Sequence, residues 1–349
     1  MNALLLALLV AQVHAQNVVV VTIDGLRPRE VFTGGERALM RGVESEDGLV
    51  EKYWRDDVNA RREVLMPFLW TTLAREGQVF GNAALGSPMR VTNDFRCSYP
   101  GYAELFTGFA DARITGNGFG ENPNVTVFEW LNQQPGFEGE VQAFATWQTF
   151  DRILNTRRSG LDVRAGLEPP FANDVQSPTR ATIDALFRTT TPLFGGNALD
   201  ALTFTALRES LRTTRPRVLL LGLGEVDEWM HAGRYDLALE ATRRSDAILA
   251  ELWRTLMSME EYRGTTTLIV TTDHGRGLGR KDWRHHGEDV RGADEVWFAV
   301  MGPGIAPLGE RLDAGLTTQA QVAATIAQSI GFDWNAEQPR AAKPLPLLP

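Results

Sequence analysis

Ile269-Val270-Thr271-Thr272-Asp273-His274-Gly275 is the stretch that decides the fold. A β-branched apolar run reads as a buried strand. It ends in adjacent Asp and His, so Asp273 and His274 sit where the strand leaves its sheet. In open α/β sheets, ligands bind beyond the carboxyl ends of the strands. A carboxylate beside an imidazole is a donor pair suited to zinc. Two other runs end the same way. Val18-Val19-Val20-Val21-Thr22-Ile23 reaches Asp24-Gly25, and Val218-Leu219-Leu220-Leu221-Gly222-Leu223-Gly224 runs toward Asp227 and His231. Three buried strands, each leading into metal-binding side chains, predict an α/β protein. Its central sheet is expected to be mostly parallel, with helices on both faces.

The composition agrees with a soluble globular chain. Charged residues are 23% and hydrophobic ones 43% of 349. A net charge of −9 disfavours nucleic acid as the main partner, and no nucleic-acid-binding surface is evident in the pattern. Leu4 to Val10 is a short apolar core, and Val13 and Ala15 stand at −3 and −1 of a cut before Gln16. Residues 1–15 therefore read as a signal peptide, which places the mature chain in the periplasm or outside the cell. No basic residue precedes the apolar core. Nothing later in the sequence is long and apolar enough for a membrane span. Cys97 is the only cysteine, which excludes an internal disulfide and a cysteine-based metal site. Of the five histidines, His14 falls in the leader. The other four, His231, His274, His285 and His286, all lie near strand-end motifs.

The rest of the chain fills in around these ends. Residues 30–60 are polar and read as a surface loop leading into a helix. Met66 to Ala74 reads as the start of an amphipathic helix with Pro67 in its first turn. Ala103 to Phe106 looks helical, with Ser98 at the N-terminal end. Backbone N–H groups and the helix dipole favour an anion there. A serine at that place is commonly an N-cap. Beside a metal, its hydroxyl is activated as a nucleophile without a histidine base. Asn117 lies in a Gly-rich loop, where its amide is able to donate to a bound oxyanion. The ordinary role of Asn-Gly there is turn formation. Residues 145–200 are rich in Pro, Thr and Gly and are expected as an inserted cap or lid within one domain spanning 16–349. Asp227 and His231 stand four apart, on one face of a helical turn, so both can reach one metal. Tyr235 to Met257 reads as a long amphipathic helix with its charged positions in solvent. Val296 to Met301 reads as a further strand, Gln319 to Gly331 as a last helix, and the tail from Pro339 as a loose terminus.

Asp24, Ser98, Asp227-xxx-His231, Asp273-His274 and then His286-Gly287, in this order, resemble the alkaline phosphatase superfamily. The nearest branch is the type I phosphodiesterase/nucleotide pyrophosphatase group. The resemblance spans roughly residues 17–335 and rests on five short motifs. It implies two divalent metal ions, zinc first among them. One would be held by Asp24, Ser98, Asp273 and His274. The other would be held by Asp227, His231 and either His285 or His286, with His286 favoured because the family histidine often directly precedes Gly. Ser98 fills the nucleophile slot, where the branch usually has Thr. Asn117 matches an asparagine that helps hold the transferred phosphoryl group.

With such a ligand set, two cations about 4 Å apart clamp the attacking and leaving oxygens of an in-line displacement. Ser98 attacks phosphorus, and water then hydrolyses the phosphoseryl intermediate. The expected substrate is a small-molecule phosphate ester, a diester or a monoester. The alternatives are a sulfate- or phosphonate-ester hydrolase on the same metals, and a periplasmic metal- or ligand-binding protein without turnover. Sulfatases of the superfamily need Cys or Ser followed by x-Pro-x-Arg. Cys97 has Tyr99 at +2, and Ser98 has Pro100 at +2 but Tyr102 at +4. Arg96 and Arg90 are the nearby candidates for a phosphate-clamping arginine. The sequence does not specify oligomeric state.

Overall fold

The computed structural model describes residues 14–42 and 48–347. Eleven strands are present among them: β1 (Asn17–Ile23), β2 (Gly77–Phe80), β3 (Met89–Arg90), β4 (Val141–Ala145), β5 (Asp162–Ala165), β6 (Val218–Leu223), β7 (Thr266–Thr271), β8 (Glu295–Val296), β9 (Phe298–Met301), β10 (Gly309–Glu310) and β11 (Thr317–Thr318). Eight of them form one sheet in the order β10-β2-β9-β7-β1-β6-β4-β5. Within it β9 runs antiparallel to both β7 and β2, and the other pairings are parallel. A small second sheet has the order β11-β3-β8.

The register explains the site. β1 lies between β6 and β7, with Thr22 opposite both Gly222 and Thr271. The carboxyl ends of these three strands are therefore level. Asp24 follows β1 directly, Asp273 follows β7 by two residues, and β6 feeds the helix Glu225–His231 that carries Asp227. Three stretches far apart in sequence deliver their side chains to one place beyond the carboxyl ends of the central strands.

Side-chain alternation divides the core. Val19, Val21 and Ile23 join one apolar cluster with Leu65, Leu69, Leu207, Leu249 and Leu252. Val18 and Val20 join another with Leu105, Phe106, Phe128, Val322 and Ile326. Successive strand residues point to opposite faces, so helices cover both sides of a sheet whose central strands β1, β6 and β7 are buried throughout. Each such side chain contributes about 1.5–3 kcal/mol of burial. No helix among the described residues is long and apolar enough to cross a membrane.

Several local expectations change. Residues 30–60 are not one surface loop. Short helices form at Pro28–Thr33, Arg37–Met40, Leu49–Tyr53 and Val58–Leu65. They bury Val31, Phe32, Leu39, Met40, Tyr53 and Leu65 in the core, and a polar network fixes the first of them: Arg27 pairs with Glu30 and Glu36, and the Tyr235 hydroxyl donates to Glu30 at 2.8 Å. Val296–Met301 is not one strand. The chain leaves the small sheet after β8 and enters the large one at β9. Between them the Trp297 indole N–H donates to the Leu26 carbonyl at 3.0 Å. The tail from Pro339 is not loose. Ala341 and Leu345 are buried, and the Leu345 N–H donates to Thr325 Oγ1 at 2.9 Å. A short helix, Trp334–Glu337, follows the one expected to be last.

The long helix Tyr235–Ser258 forms as expected, but Asp246 on it is buried rather than solvated. Its carboxylate accepts the N–H groups of Phe68 and Leu69, at 2.8 and 2.9 Å. Residues 145–200 supply the edge strand β5 and the helix Pro178–Thr189, with Phe171 and Phe187 in the core. The expected leader, 1–15, lies almost entirely outside the described residues. Ala15 is described, and its N–H donates to the Ser329 carbonyl at 2.9 Å.

Candidate metal centre and nucleophile

Ser98 is the first residue of the helix Ser98–Thr107, and Cys97 is its N-cap in extended conformation without a side-chain cap. The Tyr99 N–H is taken by Asn117 Oδ1 at 2.9 Å, and residue 100 is proline, which has no N–H. Among the described residues the Ser98 N–H and the Asn117 side-chain NH2 have no partner. Both are donors at the positive end of a helix. Gly101, one turn on, packs directly under the Asp273 carbonyl, where a Cβ would collide with it. This close approach seats the helix against the end of β7.

The Ser98 hydroxyl lies 3.3 Å from His274 Nε2. His274 Nδ1 is 2.9 Å from the Gly275 carbonyl, which only accepts. Nδ1 therefore carries the ring proton, and Nε2 presents its lone pair to Ser98. Asp24 Oδ1 and Asp273 Oδ2 converge on the same nitrogen, at 3.4 and 3.5 Å. Both carboxylates are used asymmetrically. Asp24 Oδ2 accepts from the Tyr102 hydroxyl at 3.1 Å, and Asp273 Oδ1 from the Gly25 N–H at 3.1 Å. The remaining oxygens, Asp24 Oδ1 and Asp273 Oδ2, are buried without a hydrogen-bond partner.

Those orphaned oxygens test the fit of a metal. A buried carboxylate oxygen without a partner costs about 1–3 kcal/mol or more. Ligands about 2.0–2.2 Å from a tetrahedral zinc stand on the order of 3.3–3.6 Å apart. The distances from His274 Nε2 to Ser98 Oγ, Asp24 Oδ1 and Asp273 Oδ2 fall in that range. The residues fit a cation.

A second group adjoins the first. His231 Nε2 is 3.2 Å from Asp227 Oδ2 and 2.9 Å from His286 Nε2. His286 Nδ1 is 3.2 Å from the Arg96 carbonyl, which leaves Nε2 as the free lone pair. Its ring stacks on His274 with centroids 4.0 Å apart. His285 is exposed and makes none of these contacts; of the two, His286 is the one in the group. Asp227, His274 and His286 place ligand atoms within 4.8 Å of one another, as do Asp24, Asp273 and His274. His274 is common to both groups.

The electrostatics point the same way. Burial, and then the charge of Asp227, holds the Asp24 carboxyl well above its usual range. Burial and then Asp24 do the same to Asp273. Burial raises Asp227 as well, but Arg276, His231, His274 and His286 together outweigh it and hold its carboxyl well below the usual range. Burial and the neighbouring His274 push His286 down to about 2, so its ring is neutral. Three carboxylates thus share a site with one guanidinium, and a further positive charge would let all of them ionise. Burial, Asp273 and Asp24 push the Cys97 thiol up to about 12, so it is not a thiolate nucleophile.

Every site residue expected from the sequence is thus at or beside this centre: Asp24, Ser98, Asp227, His231, Asp273, His274 and His286 within it, and Asn117 at the helix end. The arginine candidates divide. Arg90 is engaged by Asp294 and Glu295. Arg96 has a left-handed backbone, φ 47°, and its guanidinium donates to the Glu288 carbonyl at 3.0 Å. Two contributors were not foreseen. Tyr102 stands four residues after Ser98 on the same helix, a spacing that signals a shared face. Arg276 lies in a loop that Gly275, Gly277 and Gly279 make look flexible, yet it is fully buried. Nothing in that pattern announces burial. Gly25 has φ 63°, and a side chain there would strike the Asp227 carboxylate and Arg276.

No protein-family profile matches the sequence, and no curated protein sequence matches it. Solved structures do match. One is a protein in the alkaline phosphatase superfamily from Vibrio parahaemolyticus, 16% identical, with a TM-score of 0.51 over 95% of this chain and 69% of that one. The fold is that of the alkaline phosphatase superfamily. The same fold is shared with the phosphonate monoester hydrolase of Agrobacterium radiobacter, 13% identical, TM-score 0.55, covering 90% and 74% of the two chains. A putative sulfatase from Bacteroides thetaiotaomicron matches at 14% identity and TM-score 0.57, over 91% and 71%. In this alkaline-phosphatase-like fold, the cluster of Asp, His and Ser lies beyond the carboxyl ends of β1, β6 and β7, where α/β sheets bind ligands.

Proposed function

We propose that the chain is a metal-dependent hydrolase of phosphate esters, with Ser98 as nucleophile and two divalent ions, zinc first among them, held by Asp24, Ser98, Asp273 and His274 and by Asp227, His231 and His286. The observation that carries the reading is the convergence of the Ser98 hydroxyl, His274 Nε2 and two partnerless carboxylate oxygens at the N-terminus of a helix. When bound, the ions supply Lewis acidity and lower the pKa of a coordinated hydroxyl or water.

The chain's own groups do the rest. The Ser98 oxygen is fixed on the first turn, close to the position where a phosphorus atom would meet the helix's free N–H. The Ser98 N–H and the Asn117 amide are placed to donate to non-bridging oxygens whose charge grows in the transition state. Asp24 is oriented by Tyr102 and Asp273 by Gly25, so neither carboxylate must reorganise during the reaction. His274 directs Nε2 inward because its Nδ1 proton is committed to Gly275. Ser98 would form the phosphoseryl bond as the alcohol leaves, and water would cleave that bond in a second step with inorganic or monoester phosphate released.

The type I phosphodiesterase branch is the nearest motif resemblance and favours diesters. Export to the periplasm or beyond is proposed from the apolar run Leu4–Val10. The test is turnover of zinc-loaded protein on p-nitrophenyl phosphate, bis-p-nitrophenyl phosphate, p-nitrophenyl phenylphosphonate and p-nitrophenyl sulfate. Hydrolysis of the diester above the rest supports the branch. Preference for the monoester moves the assignment to a phosphatase. Preference for the phosphonate or the sulfate would replace the phosphate-ester reading.

A further inference from the structure

Arg276 is the one fully buried guanidinium at the centre, and it touches two chain segments that each carry a ligand of the second group. Its Nη2 donates to the Asp227 backbone carbonyl at 3.1 Å and pairs with Asp227 Oδ1. Its Nη1 donates to the Arg284 carbonyl at 2.7 Å. Arg284 ends the short turn Asp282–Arg284, and His285 and His286 follow it. The Gly277 N–H, one residue beyond Arg276, donates to the His285 carbonyl at 3.0 Å. Asp227 and His231 come from the helix after β6, and His286 comes from a turn some 55 residues later in sequence. Besides the His231–His286 contact itself, Arg276 hydrogen-bonds to both segments.

We propose that Arg276 is a positioning residue that assembles the second half of the metal centre. This rests on the two-ion reading above. The planar guanidinium spans acceptors on both segments at once, a geometry that an ammonium does not reproduce. It sets the turn that delivers His286 against the helix that delivers Asp227 and His231. It also holds the Asp227 carboxylate by Oδ1, which lies 3.8 Å from His274 Nε2, so that Oδ2 stands beside His231 at 3.2 Å. The first group, Asp24, Ser98, Asp273 and His274, has no hydrogen bond from Arg276.

The experiment is a zinc titration of the full chain against a competing chromophoric chelator, for wild type, Arg276→Gln and Arg276→Lys, with circular dichroism to report folding. Wild type is expected to bind two ions. Arg276→Gln is expected to keep one at wild-type affinity and to bind the other about 10- to 100-fold more weakly. Arg276→Lys is expected to fall between them, because it restores the charge but not the bridge. The selective loss at one site is what a general packing role would not produce. Equal weakening of both sites, an unchanged second site, or a tighter second site in Arg276→Gln would each overturn the proposal while leaving the two-ion reading intact. Fewer than two ions in wild type would overturn both. If Arg276→Gln fails to fold, Arg276→Lys alone decides by the same comparison of the two sites.

Discussion

His231 and His286 meet Nε2 to Nε2 at 2.9 Å, across 55 residues of chain. Two imidazole nitrogens at that distance must share either a proton or a cation. Asp227 Oδ2, 3.2 Å from His231 Nε2, completes the set. His286→Ala should therefore remove one bound ion per chain and most of the turnover, and His285→Ala should change neither. Metal analysis of the two variants after dialysis checks this. Loss on the 285 substitution instead would move the ligand by one residue.

Ser98→Ala keeps every carboxylate and imidazole. It should keep the fold and bind both ions, with the first held less tightly for want of one ligand. Turnover should fall by about a thousandfold or more, as for a nucleophile that acts with its neighbours as a unit. Steady-state rates beside metal content make the comparison. Turnover within about tenfold of wild type would assign the attack to water rather than to Ser98.

Tyr102 touches the centre only through its hydroxyl, which donates to Asp24 Oδ2. Tyr102→Phe keeps the ring that packs against Phe150 at 4.7 Å between centroids. The Asp24 carboxylate loses its orienting donor. Zinc affinity at the first site should drop about 10- to 100-fold with little change in melting temperature of the metal-free protein. Competition titration and thermal melts separate the two effects.

Burial pushes Asp246 up to about 6 from an ordinary 3.8, against the opposing pull of the Leu69 and Phe68 N–H groups. The folded chain thus holds this proton more tightly than the unfolded one. Asp246 then makes stability fall as pH rises from about 4 to about 6. Asp246→Asn removes that titration and leaves one of two buried N–H groups without a good acceptor, at a cost of about 1–3 kcal/mol. The wild-type advantage over the variant should be largest near pH 4 and should shrink toward pH 7. Urea unfolding of both proteins across that range gives the answer. An advantage that grows with pH would contradict the assignment.

The parts of the fold legible in the sequence were those written in apolar period. β1, β6 and β7 are runs of Val, Leu, Ile and Thr, and the residues at their ends could be named because a parallel sheet aligns them. The helix Tyr235–Ser258 was visible for the same reason. What the sequence hid depends on polar contacts between distant residues. The segment after β1 folds as helices of four to eight residues, too short to show a period, and Arg27, Glu30 and Tyr235 anchor its start through buried charge. Asp246 looked like one more charged position on a helix, and the Phe68 N–H that donates to it lies 178 residues away. Arg276 sat among glycines that read as flexibility. Trp297 interrupts what looks like a continuous strand because two different sheets meet at it.

The measurement that bears most directly on the central claim is trapping of the covalent intermediate. Zinc-loaded protein would be mixed with a phosphate ester labelled in the phosphoryl group, quenched in acid during turnover, digested and mapped by mass spectrometry. A phosphoryl group on the peptide containing Ser98, absent from Ser98→Ala, is the predicted result. Turnover without label on the chain, or with label on another residue, would contradict it.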